Sequence, residues 1–130
     1  MSEELDKSHP HYPVTALLKD ADALDRIRLG TFGEYKWAIE DYDKVLEFNP
    51  EIEDVYCNRG LAKDMLLDYS GAMADYNRAL ELNPNHAKAM VNRGLTKIDM
   101  GNIEEGCLDL QKGRELGNAV AYEAIKRYCK

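Results

Sequence analysis

Apolar residues recur along most of this chain at intervals of three and four, in stretches separated by short breaks of Gly, Asn and Pro. That spacing gathers apolar side chains on one face of a helix. From Val14 to Gly30 the face is Leu17, Leu18, Ala21, Leu24 and Ile27. From Tyr35 to Phe48 it is Trp37, Ala38, Ile39, Tyr42, Val45 and Leu46, and it stops at Asn49-Pro50. The residue before a proline is pushed out of helical geometry, which explains the stop. Four further helices are predicted over Asp54–Leu67, Tyr69–Leu82, His86–Met100 and Ile103–Leu116, with breaks at Asn83-Pro84, Gly101-Asn102 and Gly117-Asn118. A last amphipathic stretch, Ala119 to Cys129, carries Tyr122, Ile125 and Cys129 at helical intervals. No segment alternates apolar and polar residues as a strand would, so the fold class is all-α. Residues 1–13 are polar, hold Pro10 and Pro13, and read as a flexible arm before a single domain over 14–130.

The helices are not independent, because the sequence repeats itself every 34 residues. Ala38, Ala72 and Gly106 keep that interval, as do Asp41, Asp75 and Asp109, and Glu47, Glu81 and Glu115. Asn58-Arg59-Gly60-Leu61 returns intact as Asn92-Arg93-Gly94-Leu95. A repeat of this length built from two helical patterns predicts helix pairs stacked in a row, each covering the apolar face its neighbour leaves open. Gly60, Ala72 and Ala79 are small where paired helices must approach closely. Gly106 and Gly113 lie in a helix interior, where each costs roughly 1 kcal/mol of propensity relative to Ala.

The order Tyr56, Gly60, Ala72, Tyr76, Ala79 and Pro84 resembles the tetratricopeptide repeat (TPR) pattern of aromatic, Gly, Ala, aromatic, Ala and Pro. The resemblance covers residues 19–120 as three units of about 19–52, 53–86 and 87–120, and residues 119–129 resemble the capping helix of that family. It implies an α-solenoid of antiparallel helix pairs wound into a right-handed superhelix, with the first helices of the pairs lining a concave groove. Unit one fits least well: Asp22, Asp25 and Arg26 stand where the family keeps apolar or small residues, and a one-residue slide brings Ala21 and Leu24 inside instead.

The resemblance implies a non-catalytic module that binds a peptide or helix of a protein partner in the groove. The residues expected there are Asp54, Cys57, Asn58, Leu61, Asp64 and Met65 from unit two, with Lys88, Val91, Asn92, Leu95, Ile98 and Asp99 from unit three. Asn58 and Asn92 match the asparagine ladder with which the family holds extended backbones, since an amide both donates and accepts. The acidic members suggest a partner with basic character. The clamp that some members use for terminal carboxylates is poorly matched: Asn58 and Lys88 fit, while Ala23, Ile27 and Asn92 fill its other places. An alternative is an assembly module that packs through its first unit or through Tyr122, Ile125 and Tyr128 of the last helix.

Composition narrows the classes further. Lys plus Arg 17 against Asp plus Glu 24 gives a net charge of −7, and no dense basic run occurs, so nucleic acid is not an expected ligand. No apolar run is long enough to cross a bilayer, and the acidic N-terminus carries no signal-peptide core. Cys57, Cys107 and Cys129 are odd in number and widely spaced, and they read as free thiols in a reducing cytoplasm. His9 and His11 alone do not make a metal site, and no cofactor motif occurs. No nucleophile accompanies His86, so an enzyme is not expected. The chain reads as a monomer for which self-association remains open.

Arg59 and Arg93 each precede an Asp by 16 residues, Asp75 and Asp109, on the facing helix of the same pair. Two Arg–Asp pairs within the repeats are therefore predicted. Arg59→Ala should lower the melting temperature clearly, and an unchanged melting curve would reject the pairing.

Overall fold

The structure is a computed structural model, and it describes residues 13–20 and 32–130. Among these residues it is built of helices and turns without a strand. The helices are α1 (Ala16–Lys19), α2 (Phe32–Phe48), α3 (Glu53–Met65), α4 (Tyr69–Leu82), α5 (Ala87–Asp99), α6 (Ile103–Glu115) and α7 (Ala119–Tyr128). From α2 onward the bounds fall within a few residues of those the sequence predicts. The first prediction does not hold. A continuous helix over Val14–Gly30 is interrupted, because α1 ends where Asp20 becomes extended at φ −134° and ψ 107°, and residues 21–31 lie outside the described residues. Ala21, Leu24, Ile27, Asp22, Asp25, Arg26, His9 and His11 lie outside the described residues.

Each turn has a sequence cause. Asn49 and Asn83 fold their side chains over the following prolines, and each Oδ1 accepts the N–H two residues on, at 3.1 Å from Glu51 and from Asn85. The turns inside the pairs close differently. The Asp68 N–H reaches back to the Lys63 carbonyl at 2.9 Å, and the Asn102 N–H to that of Lys97 at 2.8 Å. Both closures need a left-handed residue, which is Gly101 at φ 93° in one turn and Leu67 at φ 68° in the other.

Packing between paired helices is close enough to exclude larger side chains. A Cβ on Gly106 would sit 2.5 Å from the Gly94 carbonyl oxygen, and one on Gly94 would sit 2.8 Å from the Gly106 oxygen. The glycines that weaken α6 as an isolated helix are thus what lets it touch α5. Around these contacts lie three apolar clusters. One, holding Cys57, Ala72, Tyr76, Ala79, Ala89 and Met90, joins α3, α4 and α5. Another gathers Val91, Leu95, Ile98, Leu110, Ala121 and Ala124. The third holds Ala16, Tyr35, Ala62 and Met65. Trp37 and Val45, expected on the apolar face of α2, are exposed.

The predicted Arg–Asp pairs form, and each arginine does more than pair within its repeat. Arg59 Nε and Nη2 grip both oxygens of Asp75 at 2.9 and 2.8 Å, while Nη1 reaches Asp43 on α2 at 2.8 Å. Arg93 repeats the grip on Asp109 at 2.8 and 3.0 Å and reaches Asn77 on α4 at 2.9 Å. The cysteine reading needs correction. Cys107 on α6 and Cys129 are bonded to each other, with their Cα atoms 5.8 Å apart, and only Cys57 is a free thiol. A spacing of 22 residues says nothing about pairing; the return of α7 across α6 brings the two sulfurs together.

Gly106→Ala should lower stability by about 1–2 kcal/mol, because the clash with α5 outweighs the gain in helix propensity. Urea denaturation measures it, and a variant as stable as the parent would show that the helices can part without cost.

Candidate functional site

The helices α3 and α5 lie side by side, and residues 13–20 of the same chain lie across them, on the face that the family resemblance makes the concave one. The segment starts at the cap, where the Tyr128 hydroxyl donates to the Val14 carbonyl at 3.4 Å. It passes over the end of α5, where Asp99 Oδ1 accepts the Thr15 N–H at 3.2 Å and Oδ2 accepts the Thr15 hydroxyl at 2.8 Å. Leu18 packs with Val120, Ile125 and Tyr128 on the cluster of Val91, Leu95 and Ile98. Ala16 packs against Ala62 and Met65. The segment leaves along α2, where Tyr35 donates its hydroxyl proton to Asp20 Oδ2 at 2.9 Å. Thr15 and Lys19 stand one helical turn apart and so meet the same carboxylate.

Lys19 is the centre of this contact. Its Nζ lies 2.7 Å from Asp99 Oδ2 and 3.2 Å from Asp64 Oδ2, and the three side chains are almost wholly enclosed. Asp64 Oδ2 also accepts the Tyr76 hydroxyl at 2.7 Å and the Thr96 hydroxyl at 2.5 Å. Asp64 Oδ1 has no hydrogen-bond partner among the described residues. Burial raises the Asp64 carboxyl above its ordinary value, and Lys19, Thr96 and Tyr76 oppose that rise. Burial likewise pushes the Tyr76 phenol well up, so it acts as a neutral donor.

The residues predicted for the groove divide into three groups. Val91, Leu95, Ile98, Asn92, Met65, Asp64 and Asp99 lie beside or beneath residues 13–20, and Asn92 is 3% exposed with Nδ2 lacking a partner among the described residues. Asp54, Asn58, Leu61 and Lys88 stay open to solvent in whole or in part. Lys88 donates to Asn58 Oδ1 at 3.2 Å, which ties the two elements of the incomplete carboxylate clamp to each other. Asp54 meets His86 Nε2 at 2.6 Å. Because His86 Nδ1 accepts the Ala89 N–H at 3.1 Å to cap α5, Nε2 carries the proton and donates. Cys57 turns away into the cluster between repeats, and burial pushes its thiol up to about 12, so it is inert at neutral pH. Sequence reasoning missed Thr15 and Lys19, and gave Tyr128 to a self-assembly face instead of the groove. A cation within an otherwise apolar helical stripe was the available signal for Lys19.

The sequence profile of the tetratricopeptide repeat matches residues 53–86. This stretch is a tetratricopeptide repeat. Solved TPR domains carry the same fold over nearly the whole chain. The first TPR of Spaghetti (RPAP3), bound to the HSP90 peptide SRMEEVD, is 25% identical at a TM-score of 0.70, over 89% of this chain and 91% of that one. The second TPR domain of human RPAP3, in complex with the HSP70 peptide SGPTIEEVD, is 23% identical at 0.69, over 88% and 95%. The Arabidopsis OM64 TPR domain is 21% identical at 0.71, over 87% and 93%. Among curated proteins none matches the sequence. The TPR fold is a protein-interaction scaffold. No helix among the described residues is long and apolar enough to cross a membrane.

The direction of the Asp64 shift fixes a pH dependence. A carboxyl whose folded value lies above its unfolded one stabilises the fold fully below the unfolded value, near 3.8, and loses that contribution as pH rises through the folded value. Relative to Asp64→Asn, the parent should therefore gain stability as pH falls from neutral toward about 4. Urea midpoints for the two proteins across that range test it, and a constant difference would contradict the buried carboxyl.

Proposed function

We propose that the chain is a non-catalytic receptor for a short peptide segment of a protein partner, held in the groove between α3 and α5. In this reading the domain spans 14–130, with repeats near 19–52, 53–86 and 87–120 and α7 as the cap. One observation carries the proposal: the groove is filled by a peptide, residues 13–20 of the chain itself. Leu18 on Val91 and Leu95 makes the apolar contact that a partner side chain would make. Asn58 and Leu61 line the part of the groove beside Tyr35 and Tyr42 that stays open, where Asn58 could meet a partner backbone.

The similar TPR domains of RPAP3 are bound to acidic chaperone peptides, and the chemistry here differs. Lys88 with Asn58 is a single basic point, whereas Asp64 and Asp99 at the centre of the groove would repel an acidic tail. A partner with basic character fits better. Self-assembly through the last helix is the weaker reading, because Ile125 and Tyr128 already pack with Leu18, which leaves Tyr122 alone exposed on that stripe; through the first unit it would use Trp37, Val45 and Phe48, which α2 leaves exposed. The cytoplasmic placement belongs to this reading too. In that compartment the cap would be held by the packing of Ala121 and Ala124, with Cys107 and Cys129 reduced.

The test uses the full chain carrying Ala16→Trp, whose own segment is too bulky to seat against Ala62 and Met65. A labelled peptide of residues 11–22 should bind this protein in the micromolar range and lose about tenfold or more in affinity when Asn58 and Asn92 are both changed to Ala. Fluorescence anisotropy measures both, and a peptide that fails to bind would reject groove recognition.

A further inference from the structure

The geometry points to a lysine-reading subsite in the floor of the groove, formed by Asp64 and Asp99, whose ligand is a helical turn with Lys four residues after Thr or Ser. This inference rests on groove recognition and adds the chemistry of what is recognised. Residues 13–20 are then the resident ligand, and a partner must displace them.

Several independent features support a dedicated cation site. Asp99 is the last residue of α5 and Asp64 the last but one of α3. Helix C-termini carry partial negative charge, so two carboxylates placed there repel their own backbone ends and each other. With residues 13–20 in place both are enclosed to 1% or less of their side-chain surface, away from the water that would otherwise screen them. An arrangement like this is stable only when a cation enters with its own desolvated stem, because a buried charge left without a partner is strongly unfavourable. The donors behind Asp64, Tyr76 and Thr96, are neutral and leave its charge uncompensated. Among the described residues, Asp64 Oδ1 is thus an acceptor that the resident segment leaves without a donor.

The pattern required of the ligand follows from the contacts. Lys19 places its ammonium between the carboxylates, and Thr15, one turn earlier, supplies an N–H and a hydroxyl to Asp99. The residue after Thr must be small, since Ala16 lies 4% exposed against Ala62 and Met65. The residue before Lys must be aliphatic, as Leu18 is on Val91. The resident segment has the advantage of attachment, equivalent to a local concentration on the order of millimolar, so a free peptide needs better contacts to replace it.

The decisive comparison is between two labelled peptides of residues 11–22, one unchanged and one with Lys19→Met, titrated against the full-length Ala16→Trp chain. The methionine peptide keeps the apolar stem and loses the charge. It should bind about thirtyfold more weakly or worse, and the gap should shrink below about threefold when the receptor also carries Asp64→Asn and Asp99→Asn. Equal affinities for the two peptides would overturn the lysine subsite and leave groove recognition standing. Failure of both peptides to bind would overturn groove recognition itself. A readout that needs no variant protein is displacement in the unsubstituted chain. Excess unlabelled peptide should shift the Thr15 and Tyr128 amide resonances, and its methionine counterpart should not. The same shifts from both peptides would count against lysine reading.

Discussion

One guanidinium in each of the two matching repeats holds three helices at once, and the groove depends on it. Arg59 leaves α3, grips Asp75 on α4 of its own pair, and extends a third N–H to Asp43 on α2 of the pair before. Arg93 does the same from α5 toward α6 and α4. A planar fork allows little latitude in angle, so each arginine fixes both the closing of a pair and its tilt against the preceding one. The carboxylates beside Arg59 raise its already high value further, which keeps the charge in place under all ordinary conditions. With the second helices held in this way, the first helices α3 and α5 stand side by side and form the trough in which residues 13–20 lie.

The trough is acidic at its centre and apolar along its walls, and in this chain it is not empty. Lys19, Thr15 and Leu18 satisfy in cis what the sequence assigned to a partner in trans. For the resident segment, Leu18 and Ala16 supply the apolar contact and the two carboxylates meet Lys19; the proposed partner would answer to the same two demands. Under the proposed groove recognition a partner would have to exchange with residues 13–20, and its apparent affinity would reflect the difference between two ligands and not the strength of one.

Most of the fold was legible in the sequence, and the reasons are local. Helix ends from α2 onward follow from Asn-Pro and Gly-Asn breaks, and the Arg–Asp pairs follow from a spacing of 16 residues repeated in two copies. The left-handed turn at Leu67 was hidden, because its counterpart one repeat later is Gly101 and a leucine gives no such signal. The site was partly legible. The acidic members pointed toward a basic ligand, but that ligand is Lys19, which lies 80 residues from Asp99 in the chain. The stripe of Leu17 and Leu18 has the same periodicity whether its turn packs on the neighbouring helix or in the groove, so only tertiary contacts decide between them. The bond between Cys107 and Cys129 was illegible for a similar reason, since helix return and not spacing creates it.

The cross-link between Cys107 and Cys129 acts at a distance from its own sulfurs. It fastens the cap to α6, the cap carries Tyr128, and Tyr128 holds the start of the segment that closes the trough. Reduction would remove that one covalent link and leave the packing of Ala121 and Ala124 to hold the cap over α6 and Tyr128 beside Val14.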